Sequence, residues 1–100
     1  MVAMSDAAPT VEGLTGSRDL GEGHSFMWLA NGPGFEPHGI IEYHPRADDK
    51  PGGCGGIVYL EGVRARHRLV SKDPITIEPS LVCRTCGCHG WIEDGKWTKA

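Results

Sequence analysis

Hydrophobic and polar positions alternate along this chain in short runs, and no stretch sustains the repeat of about 3.6 residues that marks an amphipathic helix. His24 to Leu29 is apolar enough for a first strand, and Asn31-Gly-Pro-Gly34 breaks it with two turn-forming pairs. Gly39 to His44 predicts a second strand, with Ile40 and Ile41 covering both faces. A loop follows from Pro45 to Gly56 and ends in Gly52-Gly-Cys-Gly-Gly56. Ile57 to Leu60 predicts a third strand, and Glu61-Gly62 a tight turn into a fourth, Val63 to Val70. There Val63, Ala65, His67 and Leu69 alternate with Arg64, Arg66 and Arg68, the period-two pattern of a half-buried strand. His67 is thereby expected inward and the three arginines outward. Ile75-Thr-Ile77 reads as a short fifth strand closed by Pro79, which has no N–H for a ladder. The clearest local signal is Trp91-Ile-Glu-Asp-Gly-Lys-Trp97. Asp94-Gly95 predicts a two-residue type I′ hairpin that pairs Glu93 with Lys96 and Ile92 with Trp97.

Before the first strand the pattern fails. Val11 and Leu14 are too sparse for a stripe among the Gly, Ser, Thr and acidic residues of 1–23. That segment is expected to be a flexible acidic arm. The fold class that follows is mostly β, a small antiparallel-sheet domain over residues 24–100. Composition makes its core thin. Ile, Leu, Val and Phe together number 20 among 100 residues, and a chain of this size buries only about 60–65% of its unfolded surface. A staple is therefore expected. Apolar runs are too short for a transmembrane helix, and Met1 to Ala8 lacks the basic and apolar regions of an export signal. No membrane partner is expected, and the cytosol is the expected compartment.

The cysteines name the staple. Cys83, Cys86 and Cys88 fall within six residues, and His89 follows at once. In a reducing compartment clustered thiols point to metal rather than to disulfides. Cys83-Arg-Thr-Cys86-Gly87 has the form of a zinc knuckle, in which two thiolates and a glycine turn around one tetrahedral ion. His89 is the expected third ligand and Cys88 its rival, because adjacent residues on extended chain point to opposite sides. His67, on its inward face, is the preferred fourth, with a core histidine bonded to a carbonyl as the alternative. Cys54 is either a bystander or a fourth ligand, and His24, His38 and His44 read as solvated or structural residues.

The tail, Pro79-Ser-Leu-Val-Cys-Arg-Thr-Cys-Gly-Cys-His-Gly-Trp-Ile-Glu-Asp-Gly-Lys-Trp97, resembles a family of small bacteriophage and prophage proteins without an assigned reaction. Their pattern is Pro-Ser-Leu, a cysteine pair, His-Gly-aromatic-Ile and an Asp-Gly turn. The match covers about twenty residues well and the preceding forty loosely. Some relatives carry a further Cys-x-x-Cys before a histidine; here those cysteines are absent, although His38 stands near the expected histidine. The resemblance implies a phage accessory protein with a metal site in a bacterial host.

The expected function is accordingly a non-catalytic, zinc-binding phage accessory protein, not an enzyme, that acts by binding a host or phage protein. No catalytic constellation is evident, since the hairpin assigns Glu93 to a charge pair and Asp94 to the turn. Two alternatives accompany this reading. Arg64, Arg66 and Arg68 are spaced to meet successive phosphates of a nucleic acid, although the net charge of −3 opposes it. The arm over 1–23 suits a structural virion component ordered against neighbouring subunits.

Overall fold

The alternation written in the sequence resolves into two sheets packed face to face in a computed structural model, which describes residues 2–3, 16–32 and 34–100. In chain order the strands are β1 (Val2–Ala3), β2 (Arg18–Gly21), β3 (His24–Leu29), β4 (Gly39–Pro45), β5 (Gly53–Tyr59), β6 (Arg68–Lys72), β7 (Ile75–Val82), β8 (His89–Glu93) and β9 (Lys96–Lys99). The first sheet is an antiparallel meander, β2-β3-β4-β5. In the second, β7 pairs with β6 and β8, β9 closes the far edge, and β1 lies parallel to β7. No helix among the described residues is long and apolar enough to cross a membrane. The protein is mostly β, as the short alternating runs require.

The core lies between the sheets. Phe26, Ile40 and Val58 from the first meet Ile75, Ile77, Leu81, Ile92 and Trp97 from the second. The hairpin of β8 and β9 has the expected register, Ile92 against Trp97 and Glu93 against Lys96. Its turn residues Asp94 and Gly95 both take positive φ, 49° and 75°, which the right-handed twist of a two-residue hairpin demands.

Three expectations are corrected. The domain does not begin at residue 24: Arg18–Gly21 is a strand, and Leu20 is only 2% exposed in the core. A single apolar residue between polar neighbours carries too little periodicity to announce an edge strand. Residues 4–15 of the expected arm lie outside the described residues. The fourth strand runs Arg68–Lys72, not Val63–Val70. Gly62, at φ 88°, opens a turn closed by Ala65 N–H to Gly62 O at 3.1 Å, which turns Val63 out to 94% exposure. Lastly, β7 does not stop at Ile77 but continues through Pro79 to Val82. The ladder to β8 jumps from Ile77↔Ile92 to Leu81↔Gly90. Glu78, Pro79 and Ser80 therefore bulge opposite Trp91 alone, and a proline is tolerated where no ladder bond is due.

Candidate active site and metal centre

Two chemical clusters result, and the β7–β8 connection belongs to both. The first follows from the inward face of the meander. Cross-strand register aligns Trp28, Ile40 and Val58 at one end, then Phe26, Glu42 and Gly56, then His44 beside Cys54. The row thus passes from apolar to polar along its length. Its polar end faces the loop after β7. In that loop Cys83 N–H donates to Cys88 O and Gly87 N–H to Cys83 O, both at 2.8 Å. Gly87 takes φ 82°, so the knuckle-shaped turn read from Cys83 to Gly87 is present.

His44, Cys54, Cys83 and Cys86 each offer one donor atom, and all four atoms lie within 4.8 Å of one another. His44 Nε2 is 3.2 Å from Cys86 Sγ, and Cys54 Sγ is 3.4 Å from Cys83 Sγ. Donors around a tetrahedral zinc stand about 3.5–3.8 Å apart, given bonds of about 2.0–2.3 Å. The spacing fits one ion. Burial pushes the Cys86 thiol up, but N–H groups of Ala47 and Cys88, with His44 and Cys83, bring it down to about 7. Cys54 moves the other way, to about 11, through burial and the neighbouring Cys83. Burial lowers His44, yet its hydrogen bond to and attraction by Glu42 outweigh this and raise it to about 9. His44 and Cys54 were not expected as primary ligands, and His44 was read as solvated or structural. Their signal was the shared inward face of Ile40, Glu42 and His44, but the Cys54 partner follows only from the register of β4 and β5.

The remaining residues of the expected ligand set lie elsewhere. Cys88 is half-buried outside the four-donor group, its thiol pushed up to about 12 by burial and by the charge of Glu42. His67 and His89 converge instead on Ser80. His67, 7% exposed, donates Nε2–H to the Ser80 carbonyl at 3.1 Å, and burial lowers its pKa. His89 Nε2 lies 3.2 Å from Ser80 Oγ. Val82 opposes His89 directly, so Ser80, two residues earlier on the same face, is the diagonal cross-strand neighbour of His89. The Trp91 ring packs against His89 at 5.9 Å between centroids. His89 also lines a cavity of about 380 Å³ with Cys88, Trp97 and Lys99, so its ring reaches solvent while Ser80 is only 8% exposed.

A serine hydroxyl beside an imidazole nitrogen is the minimum apparatus of nucleophilic acyl transfer. Residues 51–100 match the family of the bacterial ubiquitination-like system serine protease, BubE. The chain belongs to this family. No curated protein and no solved structure is similar enough to match. The match holds Ser80, His89, His67 and the three cysteines of the donor group, whereas Glu42 and His44 lie before it.

The family overturns the functional expectation. Its description as a serine protease replaces the non-catalytic phage accessory protein acting by binding, and with it the expectation of no enzyme. The hairpin does place Glu93 against Lys96 and Asp94 in the turn, but the reasoning weighed only carboxylates and metal water and passed over a serine. Ser80 stood in the quoted Pro-Ser-Leu segment, nine residues before His89, a spacing that becomes a contact only across the β7–β8 turn. The arginine row also does not form. Only Arg68 is on a strand, where it pairs with Glu78, while Arg64 lies over the Tyr59 ring at 5.7 Å and Arg66 donates to the Val63 and Ala65 carbonyls.

Proposed function

We propose that this protein is a serine peptidase in which Ser80 is the nucleophile and His89 the general base, acting within a bacterial ubiquitination-like system. The observation that carries this reading is the 3.2 Å approach of His89 Nε2 to Ser80 Oγ inside the segment that matches the family. As Ser80 Oγ attacks the scissile carbonyl carbon, its proton passes to His89 Nε2. The resulting imidazolium gives that proton to the leaving amine when the C–N bond breaks. Water then attacks the acyl-Ser80 ester with His89 again as base, releasing the acid and restoring the hydroxyl. His67 holds the strand carrying the nucleophile through the Ser80 carbonyl.

The ion suited to His44, Cys54, Cys83 and Cys86 is zinc, since a nearly closed set of three thiolates and one imidazole favours a tetrahedral, non-redox ion in a structural role. Bound there, it supplies a cross-link rather than a reacting group. Cys83 and Cys86 sit between Ser80 and His89 in the chain, so the cross-link fixes the connection on which the two reacting residues depend.

The test is reaction with a fluorophosphonate followed by mass mapping of the adduct. Labelling at Ser80 that is lost in Ser80→Ala and His89→Ala supports the reading. A wild-type protein that hydrolyses its substrate without a modifiable Ser80, or whose hydrolysis survives Ser80→Ala, overturns it.

A further inference from the structure

The most deeply buried acidic side chain among the described residues lies outside the reacting pair and outside the four donors. Glu42 is 0% exposed at the centre of β4. Its two carboxylate oxygens are divided between two imidazoles: His24 Nδ1–H donates to Oε1 at 2.9 Å and His44 Nδ1–H to Oε2 at 2.6 Å. A carboxyl this far from water is costly unless hydrogen bonds satisfy it. Two imidazoles do so here, but an apolar residue in the row between Phe26 and Gly56 would avoid the cost altogether.

We propose that Glu42 is the positioning carboxylate of the metal centre: by accepting the Nδ1–H of His44 it fixes the tautomer and ring orientation that present Nε2 to the ion, while His24 anchors the second oxygen. This rests on the zinc reading given above. Two observations support it. The geometry leaves His44 one free nitrogen, and that nitrogen is the one 3.2 Å from Cys86 Sγ. His24 is itself immobilised, stacked on Trp97 with centroids 4.0 Å apart and planes 11° from parallel, so the carboxylate is held at both ends.

Outer carboxylates of this kind typically change metal affinity by about 10–100-fold. The experiment compares zinc affinity of the full-length wild type and Glu42→Gln by competition with a chromophoric chelator. It adds nitrogen-15 spectra of the histidine rings in the zinc-loaded wild type. Expected are a loss of about 10–100-fold in affinity for E42Q, and a His44 ring protonated at Nδ1 and metal-bound through Nε2. The spectrum is a signature that a merely space-filling role for Glu42 would not move. An E42Q affinity within about twofold of wild type overturns the positioning role while leaving the zinc centre standing. A wild type that takes up no zinc overturns both. Should E42Q not fold, the wild-type spectrum alone decides, and a His44 bound through Nδ1 or unbound sinks the proposal.

Discussion

Removing the metal should cost this domain much of its stability, and the size of the loss can be worked out from where the donors sit. The ion would join β4, β5 and the β7–β8 connection, elements of both sheets. Its binding energy is therefore folding energy. At free zinc a thousand times above the dissociation constant, linkage gives about 4 kcal/mol of stabilisation. For a domain of about 60–100 residues each kcal/mol moves Tm by roughly 4–8 °C, so stripping the ion should lower Tm by about 16–33 °C. That loss approaches the lower end of the stability of a typical small domain, about 5–15 kcal/mol. The assay is thermal unfolding followed by circular dichroism, before and after a strong chelator, with zinc content measured on the same samples. Labelling of Ser80 should fall in parallel, because the segment from Cys83 to Cys86 links the two reacting residues. A fall in Tm of less than about 4 °C after complete removal of zinc would refute the argument that the ion ties the sheets together. It would leave a core of Ile40, Ile77, Leu81 and Ile92 sufficient by itself.

Further consequences are independent of the metal. Ser80→Ala and His89→Ala should each lower the rate of peptide hydrolysis by about 10⁴-fold or more and leave Tm within a few degrees; single-turnover kinetics and calorimetry check both. Gly90→Ala should destabilise by about 1–3 kcal/mol in urea unfolding, because a Cβ there would stand 2.5 Å from Trp97 Cζ2 and closer still to the Thr98 carbonyl. Burial lowers the pKa of His67 below its ordinary 6.5, so the unfolded chain binds the proton first as pH falls. Stability should therefore decline below pH 6.5, by up to about 1.4 kcal/mol per unit from this one group until the folded pKa is reached. His67→Gln should flatten that limb in a series of urea midpoints, and an unchanged slope would exclude His67 as its source.

Local rules carried the strands and the tail hairpin because their causes are neighbours in sequence. Asp94-Gly95 can turn only one way between alternating residues, and it delivered the observed pairing of Glu93 with Lys96. The Cys83 to Gly87 turn was legible for the same reason: two thiols, a left-handed glycine and a short loop are a local unit. His67 was read as inward and is buried, although the strand assumed to carry it gave way to a turn at Gly62. Edge strand β2 escaped because a single Leu20 shows no period.

The sequence by itself determined a β protein with a metal-shaped cysteine turn, since alternation and turn chemistry act over a few residues. Only the tertiary structure decided who meets whom. The register of β4 on β5 sets His44 beside Cys54, and packing of the two sheets carries that pair to Cys83 and Cys86. The register of β7 on β8 sets the Ser80 hydroxyl beside His89, which spacing alone had assigned to the metal. Contacts of this kind depend on distances that close only when the sheets pack, and a linear pattern carries no measure of them.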